Sequence, residues 1–173
     1  SSKFFCMVLT ILIVIIAILV IEFSLERYLT ILNIKHSRKQ LPEVLSDIYD
    51  ENKYIRQQDY FRTNARFGQL TATFSFIVVL LMYVLGGFGW VDRMVQLWTD
   101  HQVLQSLFFF GFLFIVNDII NIPFDWYHTF VIEERFEFNK ATPKIFIADK
   151  LKSWGLGIII GGAILYLIVW IFT

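Results

Sequence analysis

The sequence is poor in charge and in cysteine. Charged residues make up 17% of its 173 residues, and 15 Lys and Arg balance 15 Asp and Glu to a formal net charge of zero. Because no overall positive field would attract phosphates, the composition argues against a nucleic-acid partner. The single cysteine, Cys6, excludes an intrachain disulfide and any C-x-x-C zinc or redox motif.

Histidine is also scarce. His36, His101 and His128 are the three histidines, and none of them begins an H-E-x-x-H zinc motif. A Walker-type phosphate loop and a G-x-S-x-G nucleophile motif are lacking as well. We therefore assign no catalytic residue and no metal ligand to this chain.

Apolar residues are what the sequence has in excess. They form 57% of the chain, aromatic residues form 18%, and the mean hydropathy is +0.61. The core of a 173-residue protein could not enclose this amount of apolar surface. A large part of the apolar surface must therefore face lipid or another protein. We predict an all-α, polytopic membrane protein with four transmembrane helices, at residues 4–21, 70–88, 103–122 and 153–173.

The loops between these spans differ in basic residues, which stay on the cytosolic side of a membrane. The first loop holds eight Lys and Arg, the second holds only Arg93, and the third holds five. We therefore expect loops 24–69 and 124–152 to be cytosolic. Because the loops are short, we slightly favour a bacterial inner membrane over the endoplasmic reticulum as the membrane that holds this protein.

The segments between the spans contain residues typical of turns and patterns typical of amphipathic helices. The glycines at 86, 87 and 89 predict a turn after span two, and Pro123 predicts the end of span three. In the cytosolic loops, apolar residues recur at helical spacing among charges and predict amphipathic helices. They are Val44, Leu45, Ile48 and Ile55 after Pro42, and Ile147, Leu151 and Trp154 beside Lys144, Lys150 and Lys152.

Span three carries polar residues near its cytosolic end. Asp118 stands beside a stripe at helical spacing that includes Asn121 and Asp125. A charge at membrane depth costs about 2.5–3.5 kcal/mol unless it faces protein or water. The stripe is either the wall of a polar cavity or a capping and snorkelling feature close to Pro123.

A charged segment and a glycine pair are the remaining candidates. The segment contains Glu133, Glu134, Arg135 and Asn139. Adjacent helical residues point about 100° apart, so the two glutamates would not both reach one ion, and composition favours a solvated or salt-bridged segment. Gly157 and Gly161 form a G-x-x-x-G pattern that serves either packing within the chain or dimerisation.

One contiguous run resembles a known family. Residues 123–143 read PFDWYHTFVIEERFEFNKATP. The run is similar to the segment after the third membrane helix of the type I CAAX prenyl proteases, which are integral-membrane zinc metalloendopeptidases. Glu137 stands where that family has glycine, and Ile122 stands where it has leucine. The matching positions are Tyr127, Thr129 to Glu134, Phe138, Asn139, Thr142 and Pro143.

The resemblance implies one part of a helical enclosure around a large intramembrane chamber. It also implies a zinc ion and a C-terminal zinc metalloprotease domain, both outside this chain, and prenylated or other hydrophobic protein substrates. On this hypothesis Asp118, Asn121 and Asp125 line the chamber. Glu133, Glu134, Arg135 and Asn139 then brace the catalytic domain. Since H-E-x-x-H is lacking, we expect this chain to be inactive alone.

Two other functions compete with this one. The chain could be a non-catalytic four-helix adaptor or scaffold, or a small transporter that uses the Asp118 stripe as an ion path. It begins with Ser1 rather than Met and stops at the end of span four. We therefore expect a piece of a longer protein, in which a following H-E-x-x-H would favour the protease.

Overall fold

The computed structural model describes residues 2–37 and 50–172. These residues are almost entirely helical, and four of the helical stretches are long and apolar enough to cross a membrane. The chain divides into two compact units that meet between Leu85 and Gly86. The predicted all-α class with four membrane helices is confirmed.

The first unit consists of two long helices, α1 (Ser2–His36) and α2 (Glu51–Val84). In α1 the hydroxyl of Thr10 donates to the carbonyl oxygen of Cys6 at 2.8 Å, and that of Ser24 donates to Val20 at 2.6 Å. Such bonds to the preceding turn satisfy polar groups on a lipid-facing helix. Asp50 caps α2 by accepting a hydrogen bond from the backbone N–H of Asn52 at 2.8 Å.

Contacts along α1 and α2 show that the two helices are antiparallel neighbours. Ser37, just after α1, donates to Gln58 Oε1 near the start of α2 at 2.6 Å, and Arg62 donates to the carbonyl oxygen of Ser37. Further back along α1, the rings of Phe23 and Phe76 stack with centroids 4.2 Å apart. The predicted loop 24–69 is therefore largely an extension of both helices.

The predicted amphipathic helix after Pro42 is only partly covered by the described residues. Ile55 and its neighbours from Glu51 onwards belong to the first turns of α2. Val44, Leu45 and Ile48 lie outside the described residues.

The second unit begins at a glycine turn. Gly86 has a φ of 70°, in the left-handed region that glycine adopts without strain, and the short helix α3 (Gly87–Gln96) follows directly. Helix α3 is amphipathic, and its Val91 and Val95 are buried. The glycines predict the turn, whereas the sequence pattern did not indicate α3.

Helix α4 (Gln102–Tyr127) continues through Pro123, where the sequence predicted its end. Proline lacks an N–H and removes one helical hydrogen bond. Local adjustments and neighbouring polar groups make this tolerable in membrane helices. A π-helical turn, π1 (His128–Glu133), prolongs α4 towards the charged segment.

The last part of the unit is a helix with a π-helical turn in its middle. It consists of α5 (Pro143–Leu156), π2 (Gly157–Gly161) and α6 (Gly162–Phe172). Thr142 caps α5 by accepting from the N–H of Ile145 at 3.4 Å, and Pro143 occupies the first turn, where its missing N–H costs nothing. Helix α6 packs along α4, so π1, the following turn and α5 reverse the chain within this unit.

Candidate functional site

A cluster of charged and polar side chains joins α4 to α5. Lys150 Nζ lies 2.8 Å from Asp118 Oδ1 and 2.7 Å from Asp125 Oδ2. The indole Nε1 of Trp154 donates to Asp118 Oδ2 at 2.6 Å. We call Asp118, Asp125, Lys150 and Trp154 the ion cluster.

Helical geometry explains why these four side chains meet. Asp118 and Asp125 are seven residues apart, about two turns, and therefore share one face of α4. Lys150 and Trp154 are four residues apart and share one face of α5. One ammonium group thus bridges two carboxylates on the same face, while the indole satisfies the second oxygen of Asp118.

The cluster is partly shielded from water. The side chain of Lys150 is 19% exposed and that of Asp118 is 25% exposed, whereas Asp125 is 46% exposed. Both carboxylates already share an ammonium partner. Asp118 is therefore ill suited to serve as a free ion ligand in a transport path.

Asn121 takes a different partner from the two aspartates. Its Nδ2 donates to the carbonyl oxygen of Asn117 at 2.7 Å, four residues earlier on the same helix. The structure therefore brings together two of the three predicted chamber-lining residues, and adds Lys150 and Trp154. The sequence showed that Asp118 needs a partner, but several lysines could have supplied it.

The charged segment folds into a turn held by its own side chains. Asn139 Nδ2 donates to Glu134 Oε2 at 2.9 Å, and Asn139 Oδ1 accepts from the N–H of Ala141 at 2.7 Å. Glu133 Oε1 lies 3.6 Å from Nδ1 of His128. The guanidinium of Arg135 lies 5.7 Å from the ring centroid of Phe136. Each predicted bracing residue therefore helps to shape this turn, which we call the 133–142 turn.

The backbone of this turn forms a Schellman motif. The N–H of Phe138 donates to the carbonyl oxygen of Glu133 at 2.9 Å, and the N–H of Glu137 donates to that of Glu134 at 3.0 Å. Glu137 has a φ of 61° and is the non-glycine residue with positive φ among those described. The position where the family has glycine is thus a left-handed one, which glycine adopts without strain.

The G-x-x-x-G glycines lie beside a large groove in the second unit. A Cβ placed on Gly157 would lie 3.1 Å from the ring of Phe114 on α4, whereas one on Gly161 would meet nothing within 4 Å. The groove, of about 1280 Å³, runs between α4 and the π2 region and is lined mainly by phenylalanine, isoleucine, leucine and glycine. The first glycine therefore permits close packing of this helix on α4.

The side chains of the described part of the chain do not fit a zinc ion. Within residues 2–37 and 50–172, no three His, Cys, Asp or Glu side chains come together in a way that could hold a metal. Asp118 and Asp125, the carboxylates that converge on one point, already bind the ammonium of Lys150 there. A second cation at that point would be repelled.

The almost entirely helical fold and its four long apolar helices define the class as a multi-pass helical membrane protein. The family described as CAAX prenyl protease N-terminal, with five membrane helices, matches residues 30–173. The chain belongs to this family.

Individual relatives agree with the family match. CAAX prenyl protease 1 of Saccharomyces cerevisiae is 33% identical over 162 residues, which are 87% of this chain and 36% of the relative. The homolog from Dictyostelium discoideum is 29% identical over 86% of this chain and 38% of its own length. The crystal structure of Ste24p from S. mikatae has a TM-score of 0.82 at 32% identity, and covers 90% of this chain and 38% of that chain.

Two facts about these relatives matter for function. The chain spans little more than a third of their length. The relatives come from yeasts, a slime mould, animals and plants, so the preference for a bacterial inner membrane is not supported.

Proposed function

We propose that this chain is the membrane domain of a zinc-dependent endopeptidase that cleaves prenylated CAAX-type or other hydrophobic protein substrates. The observation that carries the proposal is the family match over residues 30–173, together with the similarity in fold to Ste24p. The eukaryotic relatives favour the endoplasmic reticulum as its membrane, with segments 24–69 and 124–152 on the cytosolic side.

The zinc ion and its ligands belong to a C-terminal domain outside this chain. The metal would supply Lewis-acid activation of the scissile carbonyl. Because the described residues offer no set of metal ligands, we assign them no part in zinc binding or proton transfer. Their role is to build the walls of an intramembrane chamber and to support the catalytic domain from the cytosolic side.

The ion cluster contributes to the chamber wall. Asp118 and Asp125 present carboxylates towards α5, and Lys150 fixes α5 against α4 through both of them. Together with Asn121 they form a polar stripe along the end of span three, suited to the water-filled side of a helical enclosure. Water along such a stripe would hydrate the peptide backbone of a substrate. A purely apolar wall would exclude that water.

The 133–142 turn is the second contribution. Glu133, Glu134, Arg135 and Asn139 project from a turn whose backbone is fixed by the Schellman motif and by the bond from Asn139 to Glu134. A rigid turn with charges of both signs at its surface is suited to salt bridges and hydrogen bonds with a neighbouring domain. We therefore assign it the bracing of the catalytic domain.

The full-length protein tests the proposed function directly. We expect an intact mass well above 20.4 kDa, about one zinc per chain, and hydrolysis of a farnesylated CAAX peptide that stops when the zinc is chelated. A matched peptide without the farnesyl group reports whether prenylation is required. A full-length protein near 20.4 kDa without zinc or hydrolysis would instead identify a non-catalytic membrane adaptor.

Glu134→Ala in the full-length enzyme tests the bracing role. The variant loses the bond from Asn139, and we expect peptide hydrolysis to fall about tenfold, because small displacements of catalytic groups are costly. Lys140→Ala changes an exposed residue of the same turn and serves as the control. If Glu134→Ala keeps both its fold and full activity, the bracing role is wrong.

A further inference from the structure

A small groove lies between α1 and α2 in the first unit, outside every feature assigned above. Its volume is about 300 Å³. The side of α2 that faces it carries Ala65, Gly68 and Ala72, whose small side chains leave the space open. Arg27, Glu26 and Thr30 of α1 supply polar groups, and Gln69 of α2 lies opposite them.

The groove lies where both helices change from polar to apolar. In α1 the apolar run ends at Ile21 and is followed by Glu22 and Glu26. In α2 the last charged residue before the uncharged stretch is Arg66. Phe23 stacks on Phe76 and Arg27 contacts Gln69, so the two boundaries are offset along the antiparallel pair and the groove lies between them. The level of the groove therefore corresponds to the lipid headgroups of a bilayer.

Arg27 offers a positive charge at this level. Its Nη1 donates to the carbonyl oxygen of Gln69 at 2.6 Å, and its guanidinium lies 5.4 Å from the ring centroid of Phe23. The guanidinium is half-buried, and within the described residues no carboxylate pairs with it. An arginine has five N–H donors, so most of those of Arg27 remain available for an anion.

Gln69 adds an unsatisfied donor beside it. Its Nε2 is buried and has no hydrogen-bond partner in the part of the chain that the structure describes. Buried donors without partners are rare, and each calls for an explanation such as a bound molecule. Gln69 is one of the residues that line the groove.

Glu26 places a negative charge in the same groove. Its side chain is exposed, and no ionic partner for it occurs in residues 2–37 and 50–172. One unpaired cation and one unpaired anion side by side match a ligand that carries both charges. An acidic headgroup with extra negative charge would be repelled by Glu26.

From these observations we propose that the groove binds the headgroup of a phospholipid with a primary amine, such as phosphatidylethanolamine. The phosphate accepts hydrogen bonds from Arg27 and Gln69, and the ammonium group donates to Glu26. A choline headgroup has the same charges but no N–H donor. Glu26 therefore selects the amine, and Arg27 holds the phosphate.

Native mass spectrometry of the full-length protein in detergent tests this site. The protein is mixed with phosphatidylethanolamine, phosphatidylcholine and phosphatidylglycerol of identical acyl chains, and the retained lipid is counted. We expect about fivefold more ethanolamine lipid than choline lipid on the wild type, the size of one hydrogen bond. Equal retention of the two, or a preference for the glycerol lipid, overturns the proposal.

Three variants sharpen the experiment. Glu26→Gln should abolish the preference for ethanolamine over choline, and a preference that survives contradicts the role of Glu26. Arg27→Gln should lower the retention of both lipids about tenfold, because a charge-assisted bond is lost. Arg66→Gln removes a positive charge outside the groove and should change neither value. Because Glu26 is exposed, its variant remains decisive even if Arg27→Gln does not fold.

Discussion

The two units of the chain are stabilised in different ways. The second unit contains all the buried apolar residues of the described chain, Val91, Val95, Val103, Ile132 and Phe136. It also contains the ion cluster. The first unit has no buried apolar residue in its described part, and aromatic and polar contacts along one seam join its two helices. The second unit therefore depends on its own interior, whereas the first depends on the lipid or protein that surrounds it.

The largest expected loss of stability comes from removing the ammonium of the ion cluster. Lys150→Met leaves Asp118 and Asp125 facing each other without a counter-charge, and we expect a loss of about 3 kcal/mol. The thermal unfolding midpoint in detergent measures this effect. Adding Asp118→Asn and Asp125→Asn to Lys150→Met should restore much of the loss, since the repulsion disappears.

Lys152→Met is the matched control for this experiment. Its side chain is 74% exposed, and its ammonium lies 3.7 Å from Asp149. An exposed pair of this kind contributes little, so the change should stay within about 0.5 kcal/mol. Equal losses for Lys150→Met and Lys152→Met would show that the cluster does not stabilise the unit.

The two G-x-x-x-G glycines should respond differently to an added methyl group. Gly157→Ala places a methyl group 3.1 Å from the Phe114 ring, whereas Gly161→Ala meets open space and gains helix propensity. We expect the first variant to be less stable than the second by about 1.5 kcal/mol. The unfolding midpoints of both variants give the difference. In a Phe114→Leu background, the stability difference between Gly157→Ala and Gly161→Ala should become smaller. A difference near zero in the wild-type background would refute close packing at Gly157.

Replacing the left-handed residue of the 133–142 turn by glycine should make the protein more stable. Glu137→Gly should raise the unfolding free energy by about 1 kcal/mol, because glycine adopts a φ of 61° without steric cost. Lys140→Gly, at an exposed position of the same turn, should bring no gain. A destabilised Glu137→Gly would mean that the contacts of the glutamate side chain outweigh the strain.

The smallest effect is expected in the first unit. Phe76→Ala removes the ring that stacks on Phe23. Aromatic pairs contribute about 0.5–1.5 kcal/mol beyond area burial, and we expect a loss near the lower end because both rings are only half-buried. Ile77→Ala, an exposed neighbour on the same helix, is the control. Cysteine cross-linking of α1 to α2 reports whether the helices stay together. A loss as large as that of Lys150→Met would erase the contrast between the units.

Much of the fold could be predicted from the sequence, because long apolar runs leave the helix as the structure that satisfies every backbone group in lipid. The helix ends could not be predicted so well. Asp50 caps α2 far before its apolar part begins, and Pro123 does not end α4. Capping and the continuation through proline depend on local hydrogen bonds that hydropathy does not report.

The candidate site was predicted in part for a related reason. A carboxylate at membrane depth must face protein or water, so the sequence alone predicts that Asp118 does not face lipid. Which of Lys144, Lys150 and Lys152 pairs with it depends on the register between α4 and α5. That register is set by the 133–142 turn, whose left-handed Glu137 cannot be inferred from its residue type.

The distance along the chain between Asp118 and Lys150 also bears on biosynthesis. The carboxylate leaves the ribosome 32 residues before the ammonium that neutralises it. A helix that entered the bilayer alone would carry an uncompensated charge, at a cost of about 2.5–3.5 kcal/mol. Helices α4 and α5 therefore gain from entering the membrane together as a hairpin. The turn between them is closed by its own local hydrogen bonds, so it can form before either helix enters the bilayer.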